Sequence, residues 1–322
     1  MRTFFLAVIS CAVLSALSSC GHKTPLSLLA FRVPQPPTSL AAVQRENVIS
    51  ITWSYSGSET IKDYIVEEKI EKGIIFPPEK GHKNEKTPFK LLAKVTGGAF
   101  VEKNILFGQT YVFRVRAESE TGVIGMPAVK EVPALTPPPA PQGLGFSIGN
   151  TLVTLKWQAG KWNGKDVFYN VYRSAAGSKT ETKTKTLLNA APIAQNTFDV
   201  TPNTGEAQVY SVTALLGGKF VCEGKSADIT VKPADFVPAR PATPSALATP
   251  EGVRLIWDAN AESWVTGYRV YRRINGQWKP VGFSSVPSFL DTGSKSGDYR
   301  ITAVGSVAEG PFSETVSVPP TK

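Results

Sequence analysis

Residues 253–272 read VRLIWDANAESWVTGYRVYR, and two strand patterns lie within this stretch. Val253, Leu255 and Trp257 stand at alternate positions, so one face of a half-buried β-strand carries all three apolar groups. About a dozen residues after Trp257, the residues at 268–270 predict a second strand. The stretch therefore predicts two strands joined by a loop.

The same pattern recurs with a period near one hundred residues, so that the chain holds three copies of it. The first elements are Ile49/Ile51/Trp53, Val153/Leu155/Trp157 and Val253/Leu255/Trp257. The second elements are Tyr64-Ile65-Val66, Tyr169-Asn170-Val171 and Tyr268-Arg269-Val270. The third elements are Phe100-Val101-Glu102, Phe198-Asp199 and Phe289-Leu290-Asp291, and the fourth are the stretches at 113–117, 210–214 and 299–303. Evenly spaced strands without an amphipathic helix predict two packed antiparallel sheets in each copy.

The third elements each end in an acidic residue, which makes Glu102, Asp199 and Asp291 the most conspicuous carboxylates of the chain. A catalytic residue has no need to be present in triplicate. Recurrence at one place in each copy predicts a structural role instead, such as accepting hydrogen bonds from turn amides.

With these motifs the chain resembles the fibronectin type III family over about residues 34 to 320. The proline-rich entry, the strand-ending tryptophan, the Gly-Tyr-Arg-Val-Tyr-Arg stretch at 267–272 and the Tyr-x-Ile-x-Ala strand of the third copy carry the resemblance. It implies an all-β fold of three tandem immunoglobulin-like β-sandwiches. It also implies that the hydroxyl of Tyr111 bonds back to the chain as a tyrosine corner, whereas Gln208 and Gly297 take that position in the other copies.

The expected division of the chain follows from the copies and from the proline-rich stretches between them. We expect a signal peptide at 1–19, a lipidated tether at 20–37, and fibronectin type III-like domains at 38–136, 137–237 and 238–322. Because proline fixes φ and disfavours helix before it, the linkers at 136–141 and 233–244 predict semi-extended spacers.

The first residues of the chain predict export. Met1-Arg2 supplies a short positive start, and an apolar run from Phe4 to Leu17 follows it. This is the layout of a secretory signal peptide, and the run is shorter than the roughly twenty apolar residues that a spanning helix needs.

The residues after this run, Leu17-Ser18-Ser19-Cys20, resemble the bacterial lipobox, in which a diacylglycerol is attached to the cysteine before cleavage. The resemblance makes Cys20 the lipidated first residue of the mature chain, Leu17 the hydrophobic recognition position, and Ser18 and Ser19 the small residues that the peptidase accepts. Two or three acyl chains, palmitate among them, hold a protein firmly to a membrane. Gly21 stands where retention in the inner membrane asks for aspartate, which favours the outer membrane. The alternative is an ordinary signal peptide with an unrelated cysteine beside its cleavage site.

The charge of the chain is basic, with a formal net charge of +9. Basic proteins gain affinity for polyanions by releasing counterions, but nucleic-acid binding also needs a recognition motif or a concentrated basic stripe. The lysines and arginines are scattered instead. We therefore expect no nucleic acid partner, and the charge fits a surface that faces anionic envelope polymers.

The sequence predicts no enzyme. It holds two histidines, and it lacks a nucleophile elbow, paired cysteines, metal-spaced histidines and a phosphate-binding loop. We expect no catalytic residue, no metal and no cofactor beyond the covalent lipid on Cys20. Cys222 is alone in the mature chain apart from Cys20, and its strand-like surroundings favour a buried small apolar residue over a reactive thiol.

Three tryptophans outside the repeated positions are candidate ligand contacts: Trp162, Trp264 and Trp278. They lie in or near predicted loops, where an exposed ring can stack on a sugar or anchor a protein, and the alternative is that they pack over the end of a sandwich. Residues 72–90 form a basic insertion in the first copy, which is either a solvated loop or a contact with anionic headgroups or lipopolysaccharide.

Together these features predict a non-catalytic envelope lipoprotein, whose sandwiches act as a tethered rod, a spacer and a protein- or glycan-binding scaffold. One alternative is a carbohydrate-binding accessory lipoprotein that works with separate hydrolases. Another is a partner of outer-membrane assembly machinery, because residues 20–26 resemble the opening of small lipoproteins that attend lipopolysaccharide assembly. The sequence leaves the partner, the leaflet and the oligomeric state open.

Overall fold

The computed structural model describes residues 32–72, 88–176, 185–217 and 221–320. Within these ranges the regular structure is all β except for one 3₁₀ turn at Pro233–Asp235. None of the described residues forms a helix that is long and apolar enough to span a membrane.

The first sandwich packs a three-stranded sheet against a four-stranded one. Its strands are β1 (Thr38–Arg45), β2 (Val48–Ser54), β3 (Ile61–Lys72), β4 (Lys90–Val95), β5 (Ala99–Lys103), β6 (Gln109–Ser119) and β7 (Ala128–Pro133). The orders are β1-β2-β5 and β4-β3-β6-β7. Alternate residues of β2 point between the sheets, where Ile49 and Ile51 are fully buried.

The second sandwich repeats this arrangement and adds a small hairpin. Its strands are β8 (Gly145–Ile148), β9 (Val153–Lys156), β10 (Lys161–Trp162), β11 (Lys165–Asp166), β12 (Phe168–Ala175), β13 (Thr186–Leu187), β14 (Thr197–Val200), β15 (Gln208–Leu216) and β16 (Cys222–Val231). The orders are β14-β9-β8 and β13-β12-β15-β16, and β10 pairs only with β11 among the described strands.

The third sandwich has the same two sheets. Its strands are β17 (Ser245–Thr249), β18 (Gly252–Ile256), β19 (Gly267–Ile274), β20 (Gln277–Ser284), β21 (Ser288–Asp291), β22 (Gly297–Val304) and β23 (Val316–Val318). The orders are β17-β18-β21 and β20-β19-β22-β23. The predicted fold class, tandem all-β sandwiches of the immunoglobulin-like kind, is therefore confirmed.

A tryptophan and a tyrosine mark the centre of each core. In all three sandwiches the strand-ending tryptophan meets the first tyrosine of the next core strand edge to face, which is the favoured geometry of aromatic pairs. The ring centroids are 5.4, 5.2 and 5.1 Å apart in Trp53–Tyr64, Trp157–Tyr169 and Trp257–Tyr268. Each pair belongs to a separate cluster of buried apolar residues.

The predicted tyrosine corner of the first sandwich is confirmed, because the backbone N–H of Leu106 donates to the hydroxyl of Tyr111 at 2.8 Å. The other sandwiches fix their loops with a different tyrosine. Gly160 donates its N–H to the hydroxyl of Tyr169 at 2.8 Å, and Asn260 donates to that of Tyr268 at 2.9 Å.

The expectation that three acidic residues share one place in the repeat is wrong for Asp199. Glu102 pairs with Ile49 and Asp291 with Val253, but Asp199 pairs with Thr154, one position out of step. Because strand side chains alternate between faces, this single step puts Asp199 on the exposed side. Asp291 does bond a turn amide as predicted, accepting from the N–H of Gly293 at 2.9 Å.

Candidate functional site

The first and second sandwiches are joined edge to edge by backbone hydrogen bonds. β1 pairs in parallel with β16, with Gln44 opposite Cys222 and Arg45 opposite Glu223. The N–H of Glu46 donates to the carbonyl of Glu223 at 2.8 Å. The pairing unites two half-sandwiches in a seven-stranded sheet ordered β13-β12-β15-β16-β1-β2-β5. Strand edges that would otherwise offer unpaired polar groups thus satisfy each other.

The side chain of Gln44 fastens the linker to this joint. Its amide donates to the carbonyl of Leu135 at 2.7 Å, and its carbonyl accepts from the N–H of Leu135 at 2.9 Å. Gln44 is only 2% exposed, so these bonds replace the water that the amide would otherwise hold. Close by, a Cβ on Gly224 would stand 2.0 Å from the carbonyl oxygen of Pro138, so the linker's path requires glycine there.

A buried carboxylate, Glu223, lies at the centre of the joint. Its side chain is 3% exposed and accepts from the guanidinium of Arg45 at 2.9 Å. It also accepts from the hydroxyls of Tyr172, at 2.7 Å, and Thr213, and from the amide of Asn170 at 3.2 Å. Burial, and then the bond to Glu223, raises the pKa of Tyr172 to about 12. The cation that neutralises this acid comes from the first sandwich.

The third sandwich has a similar cluster with its own cation. Glu309 accepts from the hydroxyls of Tyr271 and Thr302, both at 2.6 Å, and from the guanidinium of Arg269. The tyrosine and the threonine occupy the same positions of the repeat as those that bond Glu223. Arg269 stands where the second sandwich has Asn170.

In the first sandwich the glutamate on the corresponding face is also neutralised by arginines of its own sheet. Glu67 on β3 accepts two hydrogen bonds from Arg114 at 2.7 Å, and two from Arg116 at 3.0 and 3.1 Å. The bond from Arg114, helped by the charges of both arginines, lowers the pKa of Glu67. Glu67 is therefore neutralised by two arginines of its own sheet.

Three inward-facing positions of the repeat differ in charge between the first and third sandwiches. In the third sandwich Asp291 accepts from Arg272 at 2.6 Å and from the hydroxyl of Tyr299 at 2.9 Å. This is a buried ion pair with an additional donor, the arrangement that offsets the cost of desolvation best.

In the first sandwich the same three positions hold Glu68, Glu102 and Phe113, so that the arginine and the hydroxyl are both missing. One carboxylate oxygen of Glu68 is buried without a hydrogen-bond partner. Burial, and then the charge of Glu102, raises the pKa of Glu68, although Lys90 partly opposes this. Burial raises the pKa of Glu102 as well.

Trp162 lies in the hairpin of β10 and β11, whose turn residues Asn163 and Gly164 have φ of 50° and 75°. Its indole N–H donates to the carbonyl of Thr136 at 3.2 Å, and its ring packs against the core of the second sandwich. The ring lines a cavity of about 110 Å³ together with the linker prolines.

Trp264 belongs to the joint between the second and third sandwiches. It is 8% exposed, and its ring meets that of Phe236 edge to face with centroids 5.5 Å apart. Beside it the N–H of Ser263 donates to the carbonyl of Asn150 at 2.8 Å. The ring therefore offers almost no surface to a ligand in this conformation.

Trp278 lies on the outer face of the third sandwich, away from both joints. The guanidinium carbon of Arg300 stands 4.6 Å from the centroid of the Trp278 ring and 5.7 Å from that of Phe312. The rings of Tyr271 and Phe312 meet edge to face at 5.0 Å. Of the three predicted ligand contacts, Trp278 is the one that lies within a cluster of exposed and half-buried aromatic and cationic groups.

Cys222 is fully buried in the first joint. Its thiol lies 3.7 Å from the carbonyl of Leu135, and burial raises its pKa to about 11. A thiol with such a pKa is almost entirely protonated near neutrality and therefore unreactive. This agrees with the predicted buried residue.

Several predicted features lie outside the described residues. These are the lipidation residue Cys20, the lipobox residues Leu17, Ser18 and Ser19, and residues 73–87 of the basic insertion. Within the part of the chain that the structure describes, no three His, Cys, Asp or Glu side chains lie together so as to hold a metal ion.

Sequence reasoning missed Arg45, Glu223, Arg300 and Phe312. The repeat contained a signal for the first pair, because the second and third copies share a tyrosine and a threonine at matching positions of two strands, which predicts a shared acceptor. Nothing in the sequence indicated that the arginine of the second cluster would come from another domain.

No family model matches the chain, and no curated protein matches it in sequence. Among solved structures, a crystal structure of the FN1–FN3 domains of chicken CNTN1 is similar to it, with 17% sequence identity and a TM-score of 0.25. The alignment covers 88% of this chain and 98% of that chain. The fold described above rests on the strand orders and the cores themselves.

Proposed function

We propose that the chain is a non-catalytic lipoprotein of the bacterial cell envelope, anchored in the outer membrane by lipid on Cys20. Its β-sandwiches act as a spacer and as a scaffold for a protein or glycan partner. The observation that carries this proposal is the seven-stranded sheet shared by the first and second sandwiches. A sheet that continues from one domain into the next transmits position far better than a flexible linker.

The second joint supports the same function. Trp264 packs into the buried cluster of the second sandwich, and the hydroxyl of Ser306 donates to the carbonyl of Thr204 at 2.9 Å. Each neighbouring pair of sandwiches is therefore held by side-chain burial or hydrogen bonds as well as by the linker. Gln35 already bonds the first sandwich, since its N–H donates to the hydroxyl of Tyr55 at 3.2 Å. Residues 20–31, if extended, would reach about 40 Å and would hold that sandwich clear of the headgroups.

The anchor is tested by the mass of the protein purified from a membrane fraction, with the native chain compared with Cys20→Ser. We expect the native chain to lose its first nineteen residues, to gain acyl mass and to stay with the membrane, and Cys20→Ser to leave the membrane. Cys11→Ser is the matched control, since it removes a cysteine that departs with the signal peptide. A native chain that is soluble and carries no acyl group would contradict the proposal.

A further inference from the structure

The outer face of the four-stranded sheet of the third sandwich carries an unusual combination of side chains. Five of them form what we call the aromatic–arginine face: Tyr271, Arg273, Trp278, Arg300 and Phe312. Tryptophan, tyrosine and arginine are the residues that contribute most to binding energy at protein interfaces. Phe312 is 36% exposed, and Arg273 is exposed.

The geometry of this face is fixed in advance of any partner. The guanidinium of Arg300 lies over the rings of both Trp278 and Phe312, and its Nε donates to the hydroxyl of Thr315 at 2.8 Å. A guanidinium held on aromatic faces loses little further conformational freedom when it binds, which reduces the entropic cost of association.

The charge of the face is not balanced within the described residues. Glu309 touches this face through the hydroxyl of Tyr271, but Arg269 and the hydroxyl of Thr302 also bond that carboxylate. The terminal nitrogens of Arg300 and the side chain of Arg273 have no hydrogen bond or ion pair to another described residue. Two guanidinium groups are therefore left to receive anions, and each can hold a carboxylate by paired N–H bonds.

The position of this face favours a polypeptide over a sugar. Stacking on a sugar needs an open aromatic surface, but Arg300 covers one side of the Trp278 ring and Phe312 lies beside it at 6.3 Å. In the second sandwich the corresponding face already receives a protein side chain, because Arg45 of the first sandwich bonds Glu223 there. In the third sandwich the equivalent acid, Glu309, is bonded by Arg269 of its own sheet, and Arg273 and the terminal nitrogens of Arg300 are left without an acid among the described residues.

We propose that the aromatic–arginine face of the third sandwich is a docking surface for an acidic protein segment, whose carboxylates pair with Arg273 and Arg300 while its apolar side chains pack on Phe312 and the edge of Trp278. The proposal rests on the proposed scaffold function and names the class of its partner.

Calorimetric titration of the full chain with a synthetic twelve-residue peptide of alternating glutamate and phenylalanine tests this. We expect binding, and we expect Arg273→Ala and Arg300→Ala each to weaken it about tenfold, as for loss of one charge-assisted contact. Arg254→Ala is the matched control, because Arg254 is an exposed arginine on the opposite sheet of the same sandwich, and we expect no change from it. The same peptide with glutamine in place of glutamate is expected not to bind.

The proposal is overturned if the peptide does not bind, or if Arg254→Ala weakens binding as much as Arg273→Ala does. Tighter binding of oligogalacturonate, or of vesicles that contain phosphatidylglycerol, would also overturn it and identify a glycan or a membrane as the occupant. None of these variants alters Cys20 or either joint. Failure here would therefore leave the membrane fractionation that tests the proposed function unaffected.

Discussion

The second and third sandwiches bind a glutamate with the same tyrosine and threonine, but they differ in the source of the arginine. In the second, Glu223 is 3% exposed and receives Arg45 from the first sandwich. In the third, Glu309 is 28% exposed and receives Arg269 from its own sheet. One exchange at one position, arginine for asparagine, separates a cluster that needs a neighbour from one that does not.

This difference explains which face of the repeat becomes a joint. A buried carboxylate without a cation is costly, so the second sandwich gains stability when the first one docks. The third sandwich neutralises its acid alone, and Arg300 contacts groups of its own sandwich. The repeat thus uses one scaffold for an internal contact and for an open surface.

The largest expected effect is that of Glu223→Ala. It leaves the hydroxyls of Tyr172 and Thr213 and the amide of Asn170 buried without their acceptor, and we expect it to lower the free energy of unfolding of the second sandwich by about 3 kcal/mol. The matched change Glu309→Ala should cost about 1 kcal/mol, because water reaches that site. Chemical denaturation followed by tryptophan fluorescence measures both. Equal losses would show that the source of the arginine does not matter.

The elements that the sequence predicted are those that local pattern determines. Period-two alternation around Trp257 depends on neighbours in the chain, so both strands at 253–272 form where they were expected. The bond of Arg45 to Glu223 joins residues 178 positions apart, and its existence depends on how two finished sandwiches meet. Trp264 lies in a loop as expected, but its burial was not predictable from local pattern, because the surface that buries it belongs to another domain.

The place of Asp199 depends on its distance from the phenylalanine of its strand. Phe198, Phe100 and Phe289 pair with equivalent residues of the preceding strand, so the three elements share one register. Asp199 follows Phe198 directly, whereas one residue stands between the phenylalanine and the acid in the other two copies. The acid therefore faces outward, and Val200 takes the inward position that an acid holds in the other sandwiches.

A second comparison concerns the three inward-facing positions that hold an ion pair in the third sandwich and two glutamates in the first. It predicts that the stability of the first sandwich depends on pH. Because Glu68 and Glu102 have raised pKa values in the folded chain, the folded state holds protons that the unfolded state has released. Their contribution to stability is therefore fully present below the ordinary glutamate pKa of about 4.5, and it is lost as pH rises through the folded values. We expect the free energy of unfolding of the first sandwich to fall over this window.

Glu68→Gln should flatten that fall and stabilise the first sandwich at pH 7 by about 1 kcal/mol, since it removes a buried charge that lacks a partner. Thermal unfolding at a series of pH values from about 4 upward, where the unfolded glutamates begin to lose their protons, measures the slope. Glu131→Gln is the control, because Glu131 is an exposed glutamate of β7 in the same sandwich. The same slope in the native chain and in Glu68→Gln would mean that other groups control the pH dependence.

The smallest expected effect on stability comes from the arginines themselves. Arg45→Ala should cost about 1 kcal/mol, because it leaves the carboxylate of Glu223, which is 3% exposed, without its cation, although the neutral donors around it remain. Arg269→Ala should cost only about 0.5 kcal/mol, because water reaches Glu309. The two changes should differ in what they loosen, because Arg45 bonds across a joint and Arg269 bonds within a sheet. We expect hydrogen exchange at the amide of Glu46, which donates across the joint, to become faster in Arg45→Ala and to stay unchanged in Arg269→Ala. Faster exchange of that amide in both variants, or in neither, would show that the backbone pairing of β1 with β16 holds the joint without help from the ion pair.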